Sequence, residues 1–278
     1  MILVAGASGR LGRALMSAAG DGVRPLPSAV RESEHPEAIL DELRPAAVVN
    51  AAALSSAGEC AASPMKAMIS NAIWPKRLAA GCSSAGIRLI HVSSDMVYSG
   101  GNAPYAEGSI PVPASVYGWS KLLGDALVAA ACPEALTVRT SVLFGSVGAP
   151  RPTFSEDLLS GAVRSLHVDS WRNHTSISWF ARRLVELCGM GVSGLLIVCS
   201  RDSTSRSAFG ETFLRACGRS RMPPAGYRPA GVPGDLTMIP ALAERTIGRQ
   251  MPGLDESIAF ETAGIGPQDN SAARKPPV

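Results

Sequence analysis

The sequence predicts an α/β fold, a doubly wound parallel sheet followed by a smaller C-terminal α/β lobe. Apolar segments without polar alternation recur through residues 1–145, and such segments are typical of strands buried on both faces of a parallel sheet. Helical segments with one apolar face separate them. The first strand also runs directly into a glycine-rich turn and a helix, a connection typical of parallel sheets.

The elements of the first half follow in a regular order. Residues 1–5 form an apolar strand, residues 10–20 form a helix that Gly20 ends, and residues 22–26 form a second strand. The remaining predicted elements are a helix near 36–44 with Pro36 at its start, a strand over 46–53, a helix over 63–85 that Pro75 should kink or restart, a strand over 87–94, a helix over 116–131 and a strand over 135–145.

The second half is less regular, and we treat it as a lobe packed on the first. Its predicted elements are helices near 154–164, 177–189, 205–217 and 239–247 and strands at 166–169 and 194–199. A turn-rich segment after Gly148 is the predicted boundary, so the expected domains are residues 1–148 and 149–262, with interleaving allowed. Residues 263–278 are polar and rich in proline and glycine, and we expect them to be disordered.

Composition excludes several classes of protein. With 278 residues, 46% hydrophobic and 18% charged, the chain can bury its own core and is not typical of a disordered protein. The net charge of +3, with both signs interspersed, argues against nucleic acid or an anionic membrane as a partner. Six scattered cysteines indicate reduced thiols and no metal site. Neither a signal-peptide pattern nor a run of about 18 apolar residues occurs, so we expect a cytoplasmic protein.

The turn after the first strand reads GASGRLG and leads straight into a helix. In such a turn the first glycine permits a tight bend, the second lets the backbone approach a pyrophosphate, and the third lets the helix pack on the sheet. The free N–H groups and the dipole of the helix N-terminus favour an anion. The pattern predicts a Rossmann domain that binds a dinucleotide. The predicted cofactor residues of this turn are Gly6, Ser8, Gly9, Arg10, Leu11 and Gly12.

The second strand bears on which dinucleotide binds. NAD-binding turns of this type use an acidic residue near the end of that strand to hold a ribose 2′-hydroxyl. Here the strand ends in Pro25-Leu26-Pro27-Ser28, with Arg10 in the turn and Arg31 just beyond the strand. We expect both arginines near the adenosine ribose, where they would favour the 2′-phosphate of NADP. NAD, with both arginines merely solvated, is the alternative.

Three further residues suggest carbonyl chemistry. Tyr117 and Lys121 are four residues apart at the start of a helix and therefore share a face. A nearby ammonium should lower the pKa of the phenol, so that Tyr117 can exchange a proton with a carbonyl or an alcohol. Ser94, at the end of the preceding strand, can hydrogen-bond the same substrate oxygen. We predict that Ser94, Tyr117 and Lys121 are catalytic.

The segments GASGRLG, VVNAAA, HVSSDMVYSG, SVYGWSKLLGD and VRTSVLFG, in this order and spacing, resemble the extended short-chain dehydrogenase/reductase superfamily. Within it the chain resembles in particular the dTDP-4-dehydrorhamnose reductase family, over residues 1–248 and most strongly up to Gly145. The resemblance implies a nicotinamide cofactor and reduction of the 4-keto group of a nucleotide-linked 6-deoxyhexose. It implies further cofactor contacts at Ala51, Ala52, Ala53, Asn71, Ser93, Tyr117, Lys121 and Thr140, and substrate contacts at Ser94, Met96, Tyr117, Arg172 and Thr175.

The chain departs from the family pattern at positions that line the substrate side. Met96 replaces the usual tyrosine after the S-T-D motif, and Ala57-Gly58 replaces a V-D pair. Residues 172–175, RNHT, replace G-x-P-T. The resemblance therefore supports the chemistry better than the substrate. The acidic residues that some members use in a metal-bridged dimer cannot be placed, although a homodimer is compatible with the sequence.

The primary hypothesis is an NAD(P)H-dependent ketoreductase acting on a nucleotide-linked 4-keto-6-deoxysugar or a related small keto metabolite. A 4,6-dehydratase is disfavoured because Met96 stands where those enzymes have a titratable Glu. A redox epimerase of a nucleotide sugar remains an alternative. Another is a non-catalytic regulatory subunit that only binds cofactor, against which the intact Ser94, Tyr117 and Lys121 argue. We expect His91 to be structural, and a structural hydrogen bond is favoured over substrate contact for His174.

Overall fold

The computed structural model describes residues 1–33 and 35–263. Its strands are β1 (Ile2–Ala5), β2 (Val23–Pro25), β3 (Ala47–Asn50), β4 (Arg88–Ser94), β5 (Leu136–Thr140), β6 (Leu143–Phe144), β7 (Leu166–His167), β8 (Trp171–Arg172), β9 (Thr175–Ser176), β10 (Gly194–Ile197), β11 (Thr204–Ser205) and β12 (Ala225–Gly226). Its helices are α1 (Arg10–Ala18), α2 (Ser28–Glu32), α3 (Pro36–Leu43), α4 (Ala57–Ala62), α5 (Pro64–Met68), α6 (Trp74–Ser84), α7 (Val116–Ala131), α8 (Phe154–Ser160), α9 (Ile177–Cys188), α10 (Arg206–Ala216), α11 (Ala241–Ile247) and α12 (Leu254–Thr262).

A parallel sheet of six strands, in the order β2-β1-β3-β4-β5-β10, forms the centre of the molecule. In its register Ile2 lies opposite both Val23 and Ala47. Strand β2 lies on one side of β1, and β3 and the strands after it lie on the other side, so the strand order reverses between β1 and β3. In open α/β sheets ligands bind outside the carboxyl ends of the strands at such a point. The predicted doubly wound parallel sheet is confirmed.

Helices cover both faces of this sheet. On one face α1 and α9 pack together over a core that includes Leu15, Phe180 and Leu184. On the other face α3, α6 and α7 enclose a second core that includes Leu40 and Leu78. With both faces covered, the strands can be apolar along their whole length, as the sequence shows.

Residues beyond 148 contribute to this sheet as well as to a separate cluster. Strand β10 is the sixth strand of the sheet, and α9 is part of its core. Helices α8, α10 and α12 instead pack around Phe144 in a separate cluster, to which α10 contributes Phe209 and Phe213. The chain thus leaves the sheet after β5 and returns at α9 and β10. The division into residues 1–148 and 149–262 stays a prediction, and these two elements belong with the first part.

Several elements differ from those predicted. The helix expected over residues 63–85 consists of α5, a π-helical turn at Ile69–Ile73 and α6, with Pro75 in the first turn of α6 where a missing N–H is tolerated. The sequence did not predict α12. Its residue Glu261 accepts hydrogen bonds from Ser176 Oγ (2.5 Å) and Ser178 N (2.9 Å), which join α12 to the start of α9. The predicted disorder of residues 263–278 falls almost entirely outside the described residues.

All six cysteines are free thiols. Among the described residues, no group of three or more acidic, histidine or cysteine side chains is arranged to hold a metal ion. None of the helices in that part of the chain has the length and apolar character needed to cross a bilayer.

Candidate active site

A cleft of about 720 Å³ opens at the carboxyl edge of the sheet, where the strand order reverses. The turn after β1 and the residues after β3 line one end of it, at Leu11 and Ala51. The ends of β4 and β5 and the start of α7 form its middle, at Ser94 and Tyr117. The lobe closes the other end with residues that include Arg172.

Most of the residues predicted from the sequence meet in this cleft. Those that line it are Gly9, Arg10, Leu11, Ala51, Ala53, Ser93, Ser94, Met96, Tyr117, Lys121, Thr140 and Arg172. Those that do not are Gly6, Ser8, Gly12, Arg31, Ala52, Asn71 and Thr175. Several residues of the second group hold together the segments that form the walls of the cleft.

Two of the three glycines in the first turn are needed for packing. Gly6 has a φ of +84°, and a Cβ there would lie 2.8 Å from the backbone of Ala52. A Cβ on Gly12 would lie 2.1 Å from the carbonyl oxygen of Gly6. These two glycines bring β1, α1 and the segment after β3 into close contact, while Gly9 faces the cleft.

Asn71 acts on the cleft indirectly. Buried in the π-helical turn, it accepts a hydrogen bond from Leu54 N (2.8 Å) and donates to Leu54 O (3.0 Å). It also donates to Ser120 Oγ (2.9 Å), which in turn donates to the carbonyl of Tyr117 (2.7 Å). Direct cofactor contact by Asn71 stays a prediction; in this structure Asn71 ties the segment after β3 to the start of α7.

The structure reverses the expected shift at Tyr117. Burial raises the pKa of the Tyr117 phenol to about 12, although a hydrogen bond with Ser94 lowers it in part. The Nζ of Lys121 donates to the carbonyl of Val92 at 2.8 Å. The phenol is therefore protonated at neutral pH, the form that donates a proton to a carbonyl oxygen.

Lys121 is 2% exposed. Burial lowers the pKa of its ammonium to about 8, and the charge of Asp125 opposes that effect. A lysine with this pKa is mostly charged at neutral pH and loses its charge in mildly alkaline solution.

Ser94 lies at the centre of a polar group. Its Oγ donates to Asp95 Oδ1 (3.1 Å) and accepts from Met96 N (3.2 Å). Asp95 also accepts from Ser141 Oγ (2.7 Å), and Arg172 Nε lies 3.6 Å from Asp95 Oδ2. Burial raises the pKa of Asp95, while Arg172 and the hydrogen bonds lower it. The group fixes Ser94 beside the phenol of Tyr117.

The segment of residues 172–175 is largely structural. Thr175 Oγ1 donates to Asn173 O (2.9 Å) and accepts from Ser200 N (2.9 Å), so this buried hydroxyl is used within the fold. Substrate contact at Thr175 stays a prediction, and within the described residues its hydroxyl bonds only to the backbone groups named above. His174 lines the cleft but stacks on Phe209 with ring centroids 4.1 Å apart. Arg172 reaches the cleft while donating to the carbonyls of Pro233 and Gly234.

The arginines occupy positions that the sequence did not predict. Arg10 Nη1 lies 3.4 Å from Pro152 O, and its charge acts on Tyr117, so its side chain extends toward the middle of the cleft, where Tyr117 lies. Arg31 lies over the Trp74 ring, 5.6 Å from its centroid. Arg206, which the sequence did not single out, lines the cleft and stacks over Phe154 at 3.9 Å. No motif surrounds Arg206 that could have identified it.

The cleft fits a dinucleotide at its first end. The N-cap of α1 is Gly9, and no side chain of the described residues caps the helix, so its first N–H groups stay available to a phosphate. Thr140 Oγ1 is buried, belongs to a cleft-lining residue and has no hydrogen-bond partner in the described part of the chain. A buried hydroxyl without a partner indicates a ligand atom that would satisfy it.

Comparison with known proteins agrees with this geometry. The family model described as the RmlD substrate binding domain matches residues 1–245. A dTDP-4-dehydrorhamnose reductase of Streptomyces griseus is 30% identical over 276 residues, which cover 95% of this chain and 88% of the relative.

Solved structures agree as well. A crystal structure of a dTDP-4-dehydrorhamnose reductase from Clostridium acetobutylicum, 25% identical, superposes with a TM-score of 0.82 over 94% of this chain and 98% of the other. The dTDP-4-dehydrorhamnose reductase of Bacillus anthracis, solved in complex with NADP, has the same fold, with 20% identity and a TM-score of 0.85 over 94% of this chain and 98% of the other. The chain belongs to the RmlD substrate binding domain family.

Proposed function

We propose that this protein is an NADPH-dependent ketoreductase that reduces the keto group of a nucleotide-linked 4-keto-6-deoxysugar. The observation that carries the proposal is a protonated phenol, Tyr117, held beside the Ser94 hydroxyl in a cleft whose other end fits a dinucleotide. The names of the relatives support the substrate class, since those proteins are dTDP-4-dehydrorhamnose reductases.

In the proposed mechanism the protein supplies the proton and the orientation. When substrate binds, Ser94 Oγ turns its single proton from Asp95 Oδ1 to the carbonyl oxygen of the substrate and orients that oxygen toward Tyr117. Tyr117 Oη then donates its proton to that oxygen as charge develops there. A bound nicotinamide supplies the hydride. The Lys121 ammonium, held against the carbonyl of Val92, would bind the ribose of the cofactor.

The protonation state of Tyr117 favours this reaction over the redox epimerase. An epimerase must first remove a proton from an alcohol, which needs a phenolate. Burial raises the pKa of Tyr117 to about 12 and so opposes that step.

The preference for NADP is also a proposal. The NADP complex of the Bacillus anthracis relative and the absence of an acidic residue at the end of β2 support it. Of the two arginines that the sequence suggested for the 2′-phosphate, Arg10 extends toward Tyr117. The other, Arg31, lies in α2, the helix that follows β2. We infer that Arg31 leaves the Trp74 ring to meet the 2′-phosphate.

We further propose a cytoplasmic homodimer. Reduced thiols suit the cytoplasm. Large apolar side chains are exposed on α5, the π-helical turn and α7, which pack together; these are Met65, Ile69, Ile73, Trp119 and Leu123. A patch of this kind is suited to a second copy. Light scattering of the wild type and of Ile69→Glu tests this, and a monomeric wild type would refute it.

The function is tested by following NADPH oxidation with a panel of sugars. We expect turnover with nucleotide-linked 4-keto-6-deoxysugars and little with the same sugars lacking the nucleotide. The product should be the 4-hydroxy sugar, with one NADPH consumed for each. Interconversion of sugar epimers without net NADPH consumption would show that the epimerase alternative is right.

A further inference from the structure

A buried polar network lies behind the cleft, on the inner side of α7. Asp125 is one helical turn beyond Lys121, which is one turn beyond Tyr117, so the three side chains share a helix face. Lys121 is 2% exposed and Asp125 is 7% exposed. The mechanism proposed above gives Asp125 no role, and yet burying a carboxylate costs free energy unless it is paired.

The hydrogen bonds of Asp125 favour its ionised form. Its Oδ2 accepts from Ser93 Oγ (2.9 Å) and from both Nε and Nη2 of Arg139 (3.2 Å each). Burial raises the pKa of Asp125, while the charges of Arg139 and Lys121 and the Ser93 hydrogen bond lower it. Since every contact made to Oδ2 comes from a donor, the charged carboxylate is the form that the site binds.

The second oxygen of Asp125 faces His91, and the structure assigns that ring's tautomer. Asn50 Oδ1 accepts from Ala52 N (3.2 Å), so Asn50 Nδ2 is the group that faces His91 Nδ1 at 3.1 Å. Nδ2 can only donate, so the ring proton must be on Nε2. That Nε2 lies 3.6 Å from Asp125 Oδ1, and neither atom has another partner within the described residues.

The groups around Lys121 come from several elements. On α7 itself the charge of Asp125 raises its pKa against the effect of burial. From β4, His91 is neutral, because burial and then the charge of Lys121 lower its pKa well below the ordinary value. Asp95, after β4, and Cys60, on α4, act on the phenol of Tyr117 instead. Asp125 is thus the negative charge in this group that acts on Lys121.

We propose that Asp125, on the same buried face of α7, is a positioning residue that keeps the Lys121 ammonium charged where it meets the carbonyl of Val92, and that Arg139 and His91 hold Asp125 in place for this purpose. The proposal rests on the role of Lys121 in the proposed function. The arrangement has a clear consequence. Without the carboxylate, burial alone would act on Lys121, and the ammonium would lose its proton at neutral pH or below.

Titration of Lys121 by NMR tests this without substrate or turnover. The chain has only four lysines, Lys66, Lys76, Lys121 and Lys275, so ε-¹³C-labelled lysine gives few signals and Lys121→Arg assigns the one of interest. In the wild type we expect a midpoint of about 8. In Asp125→Asn, which keeps the shape and removes the charge, it should fall by about 1 unit or more. Asp125→Glu should restore most of the wild-type midpoint.

Controls address folding and net charge. Asp125→Asn leaves Arg139 buried without its partner, so the double variant Asp125→Asn/Arg139→Met is measured beside it. Glu134→Gln, which removes an exposed carboxylate just beyond α7, should leave the midpoint unchanged. A midpoint in folded Asp125→Asn that equals that of the wild type overturns the proposal. So does a wild-type midpoint below neutral pH, since Asp125 would then fail to keep Lys121 charged.

Kinetics give a second readout that separates this proposal from the proposed function. If the ketoreductase assignment holds, the alkaline loss of kcat in Asp125→Asn should begin at lower pH than in the wild type, and Asp125→Glu should restore it. If no tested keto sugar is reduced, the proposed function fails, while the NMR titration still decides the role of Asp125.

Discussion

At the scale of single residues, the protonation states in the cleft set the direction of the chemistry. Tyr117 holds its proton because it is buried, and Lys121 holds its charge only up to mildly alkaline pH for the same reason. The sequence predicted the identity of both residues but reversed the shift at Tyr117. Spacing shows that two side chains share a helix face, but not that the ammonium points away to a backbone carbonyl on β4.

The first residue-scale prediction concerns pH. The kcat for reduction should fall as pH rises through about 8, because Lys121 loses its charge there while Tyr117, with a pKa of about 12, keeps its proton. The pH profile of kcat at saturating substrate and NADPH measures this. A profile that stays flat well beyond pH 8 would show that Lys121 does not limit the reaction.

The second concerns the cofactor phosphate. Arg31→Ala should weaken NADPH binding by about tenfold, as expected for the loss of one charge-assisted hydrogen bond, and leave NADH binding nearly unchanged. Arg10→Ala should alter the affinities for NADPH and NADH alike, because the Arg10 side chain extends toward Tyr117 and not toward the group in which the two cofactors differ. Fluorescence titration measures all four affinities. The assignment fails if Arg31→Ala weakens both cofactors equally.

At the scale of elements, the first half of the fold was predictable because each strand and helix carries its own signal. Helix α7 agrees with the prediction at both ends, and Ser115 caps it by accepting from Gly118 N. The short strands β8, β9 and β11 could not be found, since two residues show no periodicity. The hydrogen bond from Asn71 to Ser120, which ties the π-helical turn to α7, could not be predicted either, because it joins residues that are far apart in sequence.

The element-scale prediction concerns how closely α7 approaches the π-helical turn. A Cβ at Gly124 would lie 2.1 Å from the carbonyl oxygen of Asn71, so Gly124→Ala must push the two segments apart. We expect a loss of about 1–3 kcal/mol in the free energy of unfolding, and a lower kcat because α7 carries Tyr117. Gly58→Ala on α4, where a Cβ meets only Ser56 Oγ at 4.0 Å, is the control. Equal stability of the two variants in urea denaturation would contradict this packing.

At the scale of the whole molecule, the two parts of the chain are joined by shared elements and by buried polar groups. Arg172 connects Asp95, beside Ser94, to the backbone at Pro233 and Gly234. His174 packs on Phe209 of α10, and its Nδ1 lies 3.2 Å from Thr204 Oγ1. The sequence predicted a structural role for His174, but not its partners, which come from the lobe.

The burial of His174 between the two parts of the chain makes the stability of the fold depend on pH. Burial, with the charges of Arg206 and Arg172, lowers the pKa of His174 to about 3, so it folds as the neutral imidazole. The unfolded chain, with an ordinary histidine pKa of about 6.5, binds more protons below that pH. The contribution of His174 to the free energy of unfolding is therefore fully present above about pH 6.5. It is lost as the pH falls from there toward about 3, by about 1.4 kcal/mol per pH unit. Urea denaturation should give a shallower pH slope for His174→Gln, and an equal slope would contradict a neutral, buried His174.

The central claim is that Tyr117 donates the proton in a cofactor-dependent reduction, and Tyr117→Phe tests it most directly because only the hydroxyl is removed. With a nucleotide-linked 4-keto-6-deoxysugar and NADPH, kcat should fall by about 10²- to 10⁴-fold, while the Kd for NADPH stays close to that of the wild type. Tyr227→Phe, at a tyrosine that is 79% exposed, is the matched control and should leave both quantities unchanged. A Tyr117→Phe enzyme that keeps the wild-type kcat would contradict the account.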